Sequence, residues 1–185
     1  AMDVAKESGT IISLDGGAQR YDEDMKPITE DSHIVIVARD YAEKYTGTTN
    51  LEDACRIIHE RGALIAGVTD GANGSYFVWS DGTSYRCKPF SQATVVDTTG
   101  AGDSFHGAFL ANLAHTLNHM KGQDQTLTSM LDGVSIRAVE LLKHCEHSDL
   151  EKAAIFASAV ASLNTQGIGG RSPLPTLQSV QELIG

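Results

Sequence analysis

The stretch VVDTTGAGDSFHGAFL, residues 95–110, holds the residue types and spacing most able to do chemistry. Gly100, Ala101 and Gly102 leave backbone N–H groups bare, Asp103 follows at once, and a run with helical spacing continues beyond it. A strand that passes through a glycine turn into a helix start leaves several N–H groups without partners. With the helix dipole behind them these groups hold anions, phosphate above all. A carboxylate in the same turn repels a resting anion, and three readings accommodate both. Asp103 can simply favour the helix start, by ~0.3–1 kcal/mol. The turn can belong to a dinucleotide site, but Phe105 stands where GxGxxG needs its third glycine. Nor does a strand followed by an acid stand about twenty residues on, where the sequence reads LAHTLNHMKGQD. No Walker A pattern occurs either. In the third reading the amides hold a phosphoryl group in transit, and the carboxylate accepts the proton of an attacking hydroxyl. Repulsion of the resting state is then small beside what is gained in the transition state. That is phosphoryl transfer to an alcohol.

The elements that must position this turn are written in alternating apolar and amphipathic runs. TIISLD (10–15), HIVIVA (33–38) and ALIAGVT (63–69) read as short buried strands. ARDYAEKYTG (38–47) and LEDACRIIHERG (51–62) read as helices, each closed by a glycine suited to a left-handed cap. This rhythm predicts a parallel sheet with helices on both faces. SYFVW (75–79) and TSYRCKPF (83–90) flank Asp81-Gly82 and predict a β-hairpin. ATVVD (93–97) reads as a last short strand leading into the turn. DSFHGAFLANLAHTL (103–117) is apolar on most of its circumference, hence a buried helix. LTSMLDGVSIRAVELLKHC (127–145), DLEKAAIFASAVASLNT (149–165) and TLQSVQELI (176–184) supply three more helices, with a loop at 167–173. No internal repeat or linker divides the chain, so residues 1–185 read as one domain.

Composition narrows the classes. The 185 residues are 41% apolar, enough for a packed core, and 14 basic against 24 acidic side chains leave a net charge of −10. With no block of Lys or Arg, nucleic acid and anionic membrane surfaces are excluded as partners. Cys55, Cys87 and Cys145 are odd in number and far apart, forming neither a disulfide framework nor a zinc pattern. That usage suits a reducing cytoplasm. No apolar run approaches the length of a membrane span.

Over its whole length DTTGAGDSFHGAFL resembles the C-terminal signature of the ribokinase, or PfkB, family of carbohydrate kinases. ISLD (12–15), VTDGANGSYFV (68–78), FASAVASL (156–163) and GIGGRSPLPTLQSV (167–180) extend the likeness. The resemblance implies a ribokinase-like three-layer α/β/α fold with a mostly parallel sheet and a β-hairpin. It also implies ATP with Mg2+ as phosphoryl donor and a small sugar as acceptor. Asp103 is then the general base, and the amides of Gly100, Ala101 and Gly102 the anion hole. Asp97 and Thr99 fall where members hold a monovalent cation, potassium, by carboxylate and main-chain carbonyl, and Gly167 matches a further main-chain ligand. Thr69, Gly71 and Gly74 match positions near ribose and phosphates, and Ser158 one near adenine. Plainer roles stand beside these: Gly71 and Asn73-Gly74 make a turn whatever they bind, and Ser158 suits a tight helix contact.

The chain also departs from the pattern. Where many members carry Asn-x-x-Glu to organise magnesium, this one has Ala38 to Tyr41, with neither residue. Members are longer at the N-terminus, where most sugar contacts, the first strands and a small β lid lie. The expectation is a C-terminal portion completed by an N-terminal portion or a second copy, because an open sheet edge invites pairing. A nucleotide-binding or assembly unit without activity of its own is the alternative function. Residues 118–148 read as an insertion. His115 and His119 are four apart but lack an HExxH context, and read as exposed histidines near a helix C-terminus. His106, one turn after Asp103, either packs against the anion loop or touches substrate. Asp15, followed by GGAQR, ends a strand where α/β sites form, as a site carboxylate or a loop cap.

Overall fold

Three short strands, β1 (Ser13–Gly16) and the β-branched β2 (Ile34–Ala38) and β3 (Ile65–Thr69), lie parallel and adjacent in chain order. The computed structural model describes residues 1–90, 94–123 and 138–185. Beyond β3 the sheet continues antiparallel through β4 (Ser75–Val78) and β5 (Ser84–Cys87), giving the order β1-β2-β3-β4-β5. The hairpin turns at Asp81-Gly82, where Trp79 N–H donates to Thr83 O at 2.9 Å and Gly82 takes φ +82°.

Alternation along the strands sorts the side chains into two cores. Val35, Val37, Ala66 and Val68 face α3 (Arg39–Thr46) and α4 (Leu51–Glu60), burying Tyr41, Ala54, Cys55 and Ile58. Ile34, Ile36, Ile65 and Phe77 face α5 (Ala101–Gln123), α6 (Ala138–Lys143) and α7 (His147–Asn164). The result is the expected three layers. On the second face the Phe77 ring stacks on Phe109 and Phe105, with centroids 5.5 and 6.3 Å away. Gly67, its partner on β3, makes room for it: a Cβ there would stand 2.6 Å from the ring. Rings buried this fully stabilise the fold by ~1.5–3 kcal/mol each.

Local signals act as the sequence suggests at most helix ends. Asn50 caps α4, its Oδ1 accepting from Glu52 and Asp53 N–H groups at 2.9 and 3.2 Å. Gly47 closes α3 in the left-handed region, and Thr176 caps α8 (Leu177–Ile184). Gly62 differs, because Arg61 occupies the cap of α4 and Gly62 follows at φ +126°. Two short helices escape the periodicity altogether, α1 (Met2–Ser8), which buries nothing, and α2 (Met25–Glu30). Elements of six or seven residues give too few turns to show an apolar stripe.

Two expectations near the motif are corrected. Residues 94–97 form no strand of the sheet; the N–H groups of Val96 and Asp97 both donate to Thr165 O, at 2.7 and 3.1 Å. The approach to the glycine turn therefore leans on the end of α7. The helix after the turn begins at Ala101, two residues earlier than its apolar spacing indicates, because small residues carry no stripe. Of the expected helix at 127–145 and the insertion at 118–148, residues 118–123 extend α5 and α6 covers Ala138–Lys143. Residues 124–137 lie outside the described residues, as does residue 93 of the expected strand. Among the described residues no helix is long and apolar enough to cross a membrane.

Candidate active site

Because β1, β2 and β3 are parallel, their C-terminal ends come together at one edge of the sheet, where Asp15, Ala38 and Thr69 stand. The start of α5 faces this edge. Between them lie two adjoining hollows of about 490 and 320 Å³. Thr69, Gly71, Thr98 and Gly102 line both, so the two are lobes of one cleft. The larger lobe runs past Gly74, Pro89, Phe90, Val95 and Ser158. The smaller holds Asp15, Arg20, Gly100 and Asp103.

The turn has a specific backbone. Gly100 adopts φ +77° and lies against Gly170, whose Cα would stand 2.6 Å from a Cβ on Gly100. Only glycine satisfies both conditions. Ala101 N–H is already engaged by Thr98 O at 3.2 Å, while Gly102, exposed and facing both lobes, opens the first turn of α5. Asp103 is exposed beside it. The sequence grouped Gly100, Ala101 and Gly102 as equals; folding gives each a different task.

A second carboxylate, Asp15, lines the smaller lobe. Burial pushes the Asp15 carboxyl above the usual range; His106 opposes this, the Asp103 charge adds to it, and Arg20 opposes it again. The loop after Asp15 is tightly held. Gly16 presses on Val37 and the Tyr41 ring, and Gln19, at φ +61°, donates its N–H to the Asp40 carboxylate. Arg20 was not singled out by sequence, since a lone arginine in a glycine loop carries no pattern.

Asp97 ties the turn to the loop at 167–173. Its Oδ1 accepts from Thr99 N–H at 2.8 Å and its Oδ2 from Gly169 N–H at 2.9 Å. Those two donors, Thr99 first, hold its carboxyl below the ordinary range. The loop glycine that reaches Asp97 is thus Gly169, whereas Gly167 packs on Pro173. Asn164, fully buried, donates its amide to Thr99 O at 3.4 Å, and its Oδ1 is buried with no partner among the described residues. Sequence reasoning missed Gly169, Gly170 and Asn164; the doubled glycine in GIGG was the available signal.

The nucleotide-side positions divide. Thr69 ends β3 opposite Ser75 and lines both lobes. Gly71, at φ +50°, has open space where a side chain would stand. Gly74 serves the sheet, since a Cβ there would meet Cys87 O at 2.3 Å. Ser158, on α7, lines the larger lobe and donates to Lys88 O at 3.4 Å.

The profile of the pfkB family carbohydrate kinases matches residues 1–177. The chain belongs to this family. It is 26% identical over 190 residues to a bifunctional ribokinase/ribose-5-phosphate isomerase A of Fructilactobacillus sanfranciscensis, covering 100% of this chain and 29% of that one. Fructokinase-2 of Solanum habrochaites is 26% identical over 200 residues, with 100% and 51% covered. Among solved structures, a ribokinase from Giardia lamblia superposes with a TM-score of 0.75 at 21% identity, covering 98% of this chain and 54% of that one. A fructokinase from Vibrio cholerae O395, crystallised with fructose, ADP and potassium ion bound, gives 0.73 at 18%, covering 100% and 54%. These structures share the ribokinase-like fold. The chain spans about half, or less, of the length of the relatives it matches.

The Ala38–Tyr41 stretch lacks the Asn-x-x-Glu that the resemblance led us to expect there. Tyr41 is fully buried, with its OH 2.7 Å from Thr29 Oγ1 and its ring edge-on to Tyr21. A core phenol therefore stands where the resemblance implies a carboxylate. At the head of α3, Arg39 instead pairs with Asp70 at 2.7 Å, joining the ends of β2 and β3. Among the described residues no group of three His, Cys, Asp or Glu side chains could hold a metal ion. Magnesium is commonly held by one or two carboxylates together with substrate phosphates and water, and Asp15 and Asp103 are the carboxylates lining the smaller lobe. The monovalent-cation position is different. The Asp97 carboxylate, the Thr99 carbonyl and the orphaned Asn164 oxygen fit a cation that takes oxygen ligands.

Proposed function

We propose that the protein transfers the γ-phosphoryl group of ATP to a hydroxyl of a small sugar. The observation that carries this reading is that the two lobes of the cleft meet at Gly102, with Asp103 on the smaller side. The larger lobe has the volume and apolar lining of a nucleotide pocket, with Pro89, Phe90 and Val95 for the base and Ser158 beside them. Phosphates then run past Thr69 and Gly71 toward the amides of Gly100 and Gly102, which stabilise charge on the transferring group. The sugar occupies the smaller lobe. Asp103, exposed on the first turn of α5, takes the proton of the attacking hydroxyl.

Potassium is proposed at Asp97 and Thr99, with Gly167 or its neighbours completing the oxygen set. Bound there it adds positive potential behind the anion hole, while Asp97 itself pins the turn to the 167–173 loop. The outer edge of β1 pairs with no strand among the described residues. An N-terminal portion of the fold, or a second copy, is proposed to add there and complete the sugar contacts. The relatives named ribokinase and fructokinase make ribose and fructose the first acceptors to try.

The test is ADP release by the intact protein over a panel of sugars, with product phosphate located by NMR. Sugar-dependent turnover supports the reading. Tight ATP binding with no turnover on any sugar would favour a nucleotide-binding unit instead.

A further inference from the structure

We infer that His33 is a pH-sensitive latch: neutral, it seats the start of β1 and the α1 arm on the sheet, and protonated, it lets them go. The latch is independent of the kinase reading. His33 stands just before β2 and ties the beginnings of all three parallel strands together. Its N–H donates to Ile12 O at 2.9 Å, and its carbonyl accepts from the N–H groups of Leu64 and Ile65 at 2.8 and 3.1 Å. The ring closes the knot, because Nδ1 accepts the N–H of Ile12 at 3.0 Å. Both polar backbone groups of Ile12 thus rest on His33. Ile12 leads directly into β1, the strand whose outer edge pairs with no other among the described residues.

The identity of the donor fixes the state of the ring. A backbone N–H can only donate, so Nδ1 is bare and the ring proton sits on Nε2. A second proton, on Nδ1, would set two donors against each other and leave the Ile12 N–H unpaired. The surroundings oppose that proton as well. Burial, then Lys6 from α1 and Lys143 from α6, hold the ring below the ordinary histidine value of 6.5. Each lysine has an acid of its own, Asp31 at the end of α2 for Lys6 and Glu140 for Lys143. A depressed folded value fixes the sign: the contribution of the latch is present above pH 6.5 and is lost as pH falls through the folded value. What gives way is the element with least to lose. α1 buries no residue, Val4 is 68% exposed, and the bond from Val139 N–H to Gly9 O is long, at 3.4 Å. β2 and β3 stay, held by their mutual pairing and by the core on both faces.

The test follows ring and amide separately in the intact protein. Nitrogen NMR of the neutral ring should show a bare Nδ1 and a proton on Nε2, with a titration midpoint below 6.5. Hydrogen exchange, corrected for its intrinsic pH dependence, is compared between about pH 8 and 5, the histidine window. The Ile12 amide should lose about tenfold in protection, the weight of one hydrogen bond, while Val68 in the central strand keeps its own. His33→Asn puts an amide oxygen near the place of Nδ1 and cannot take up a proton, so its Ile12 amide should stay protected throughout. His33→Leu removes the acceptor and should leave the Ile12 amide poorly protected at both ends of the range. Should that variant not fold, the unaltered protein and His33→Asn decide between them. A proton on Nδ1 of the neutral ring, a midpoint at or above 6.5, or an equal loss of protection in the unaltered protein and His33→Asn overturns the inference.

Discussion

Gly100 and Gly170 touch backbone to backbone, so the anion turn and the loop after α7 form one unit. Substituting Gly100→Ala meets two obstacles, a positive φ that costs about 1–2 kcal/mol and a Cβ 2.6 Å from Gly170 Cα. Gly71→Ala meets only the first, because nothing lies within 4 Å of its added Cβ. Melting temperatures should therefore fall more for Gly100→Ala than for Gly71→Ala. Nucleotide affinity, measured by calorimetry, should fall with the first. Equal losses in the two variants would show that the Gly100–Gly170 contact has no structural weight.

Asp103→Asn keeps size and shape while removing the proposed base. The expected outcome is a kcat lower by ~10²–10⁴-fold. ATP affinity should hold or improve slightly, since repulsion toward phosphate is relieved. Stability should change by less than ~1 kcal/mol, the helix-dipole contribution of an N-terminal carboxylate. A structural Asp103 gives the opposite pattern, lost stability with kcat intact, so kcat, ATP affinity and melting temperature on this one variant decide.

Replacing sodium by potassium at matched ionic strength should raise kcat, and Asp97→Asn should remove the difference. The variant should also loosen the turn, because an amide can accept from only one of the Thr99 and Gly169 N–H groups that Asp97 now serves. Asp97 has a lowered folded value, so its contribution to stability is present above the ordinary carboxylate range and is lost as pH falls through the folded value. Equal rates in the two salts, before and after the substitution, would leave no cation role for Asp97.

The hairpin turn and the start of α7 are joined through Asp81, which accepts from Thr83 and lies 2.6 Å from His147 Nε2. Chiefly through the Thr83 bonds, and also through His147, its carboxyl drops from 3.8 to about 2. The sign follows: this contribution is complete above pH 3.8 and is lost as pH falls toward about 2. More than half exposed, the group contributes less than about 1 kcal/mol after solvent screening. In acid-unfolding curves Asp81→Asn should flatten the drop between those pH values, and a drop of unchanged depth would remove Asp81 as its source.

Much of the sheet is legible because strand burial is local information. Continuous β-branched runs such as IVIVA have a single comfortable environment, between two layers of helix, and the intervening amphipathic stripes provide those layers. Asp81-Gly82 and the cap at Asn50 are likewise decided within four residues. The same logic fails at 94–97. Their β-branched run suits a strand, yet the amides of Val96 and Asp97 are taken by Thr165, some seventy residues later, and no pattern within a short window encodes such a partner.

The candidate site divides along the same line. Its chemical vocabulary, a carboxylate behind bare amides at a helix start, belongs to residues 100–103 alone, because dipole, turn and charge all act within one helical turn. By itself the sequence determined that much, together with the family signature around it. Tertiary structure decided the rest. It set Gly170 against Gly100, Gly169 on Asp97, Ser13 on His106, and Asp15 in the same lobe as Asp103. Each of these joins residues more than sixty positions apart. Such contacts exist only once the sheet and its two helical layers have closed around the cleft, since chain entropy keeps distant segments apart until packing as a whole repays it.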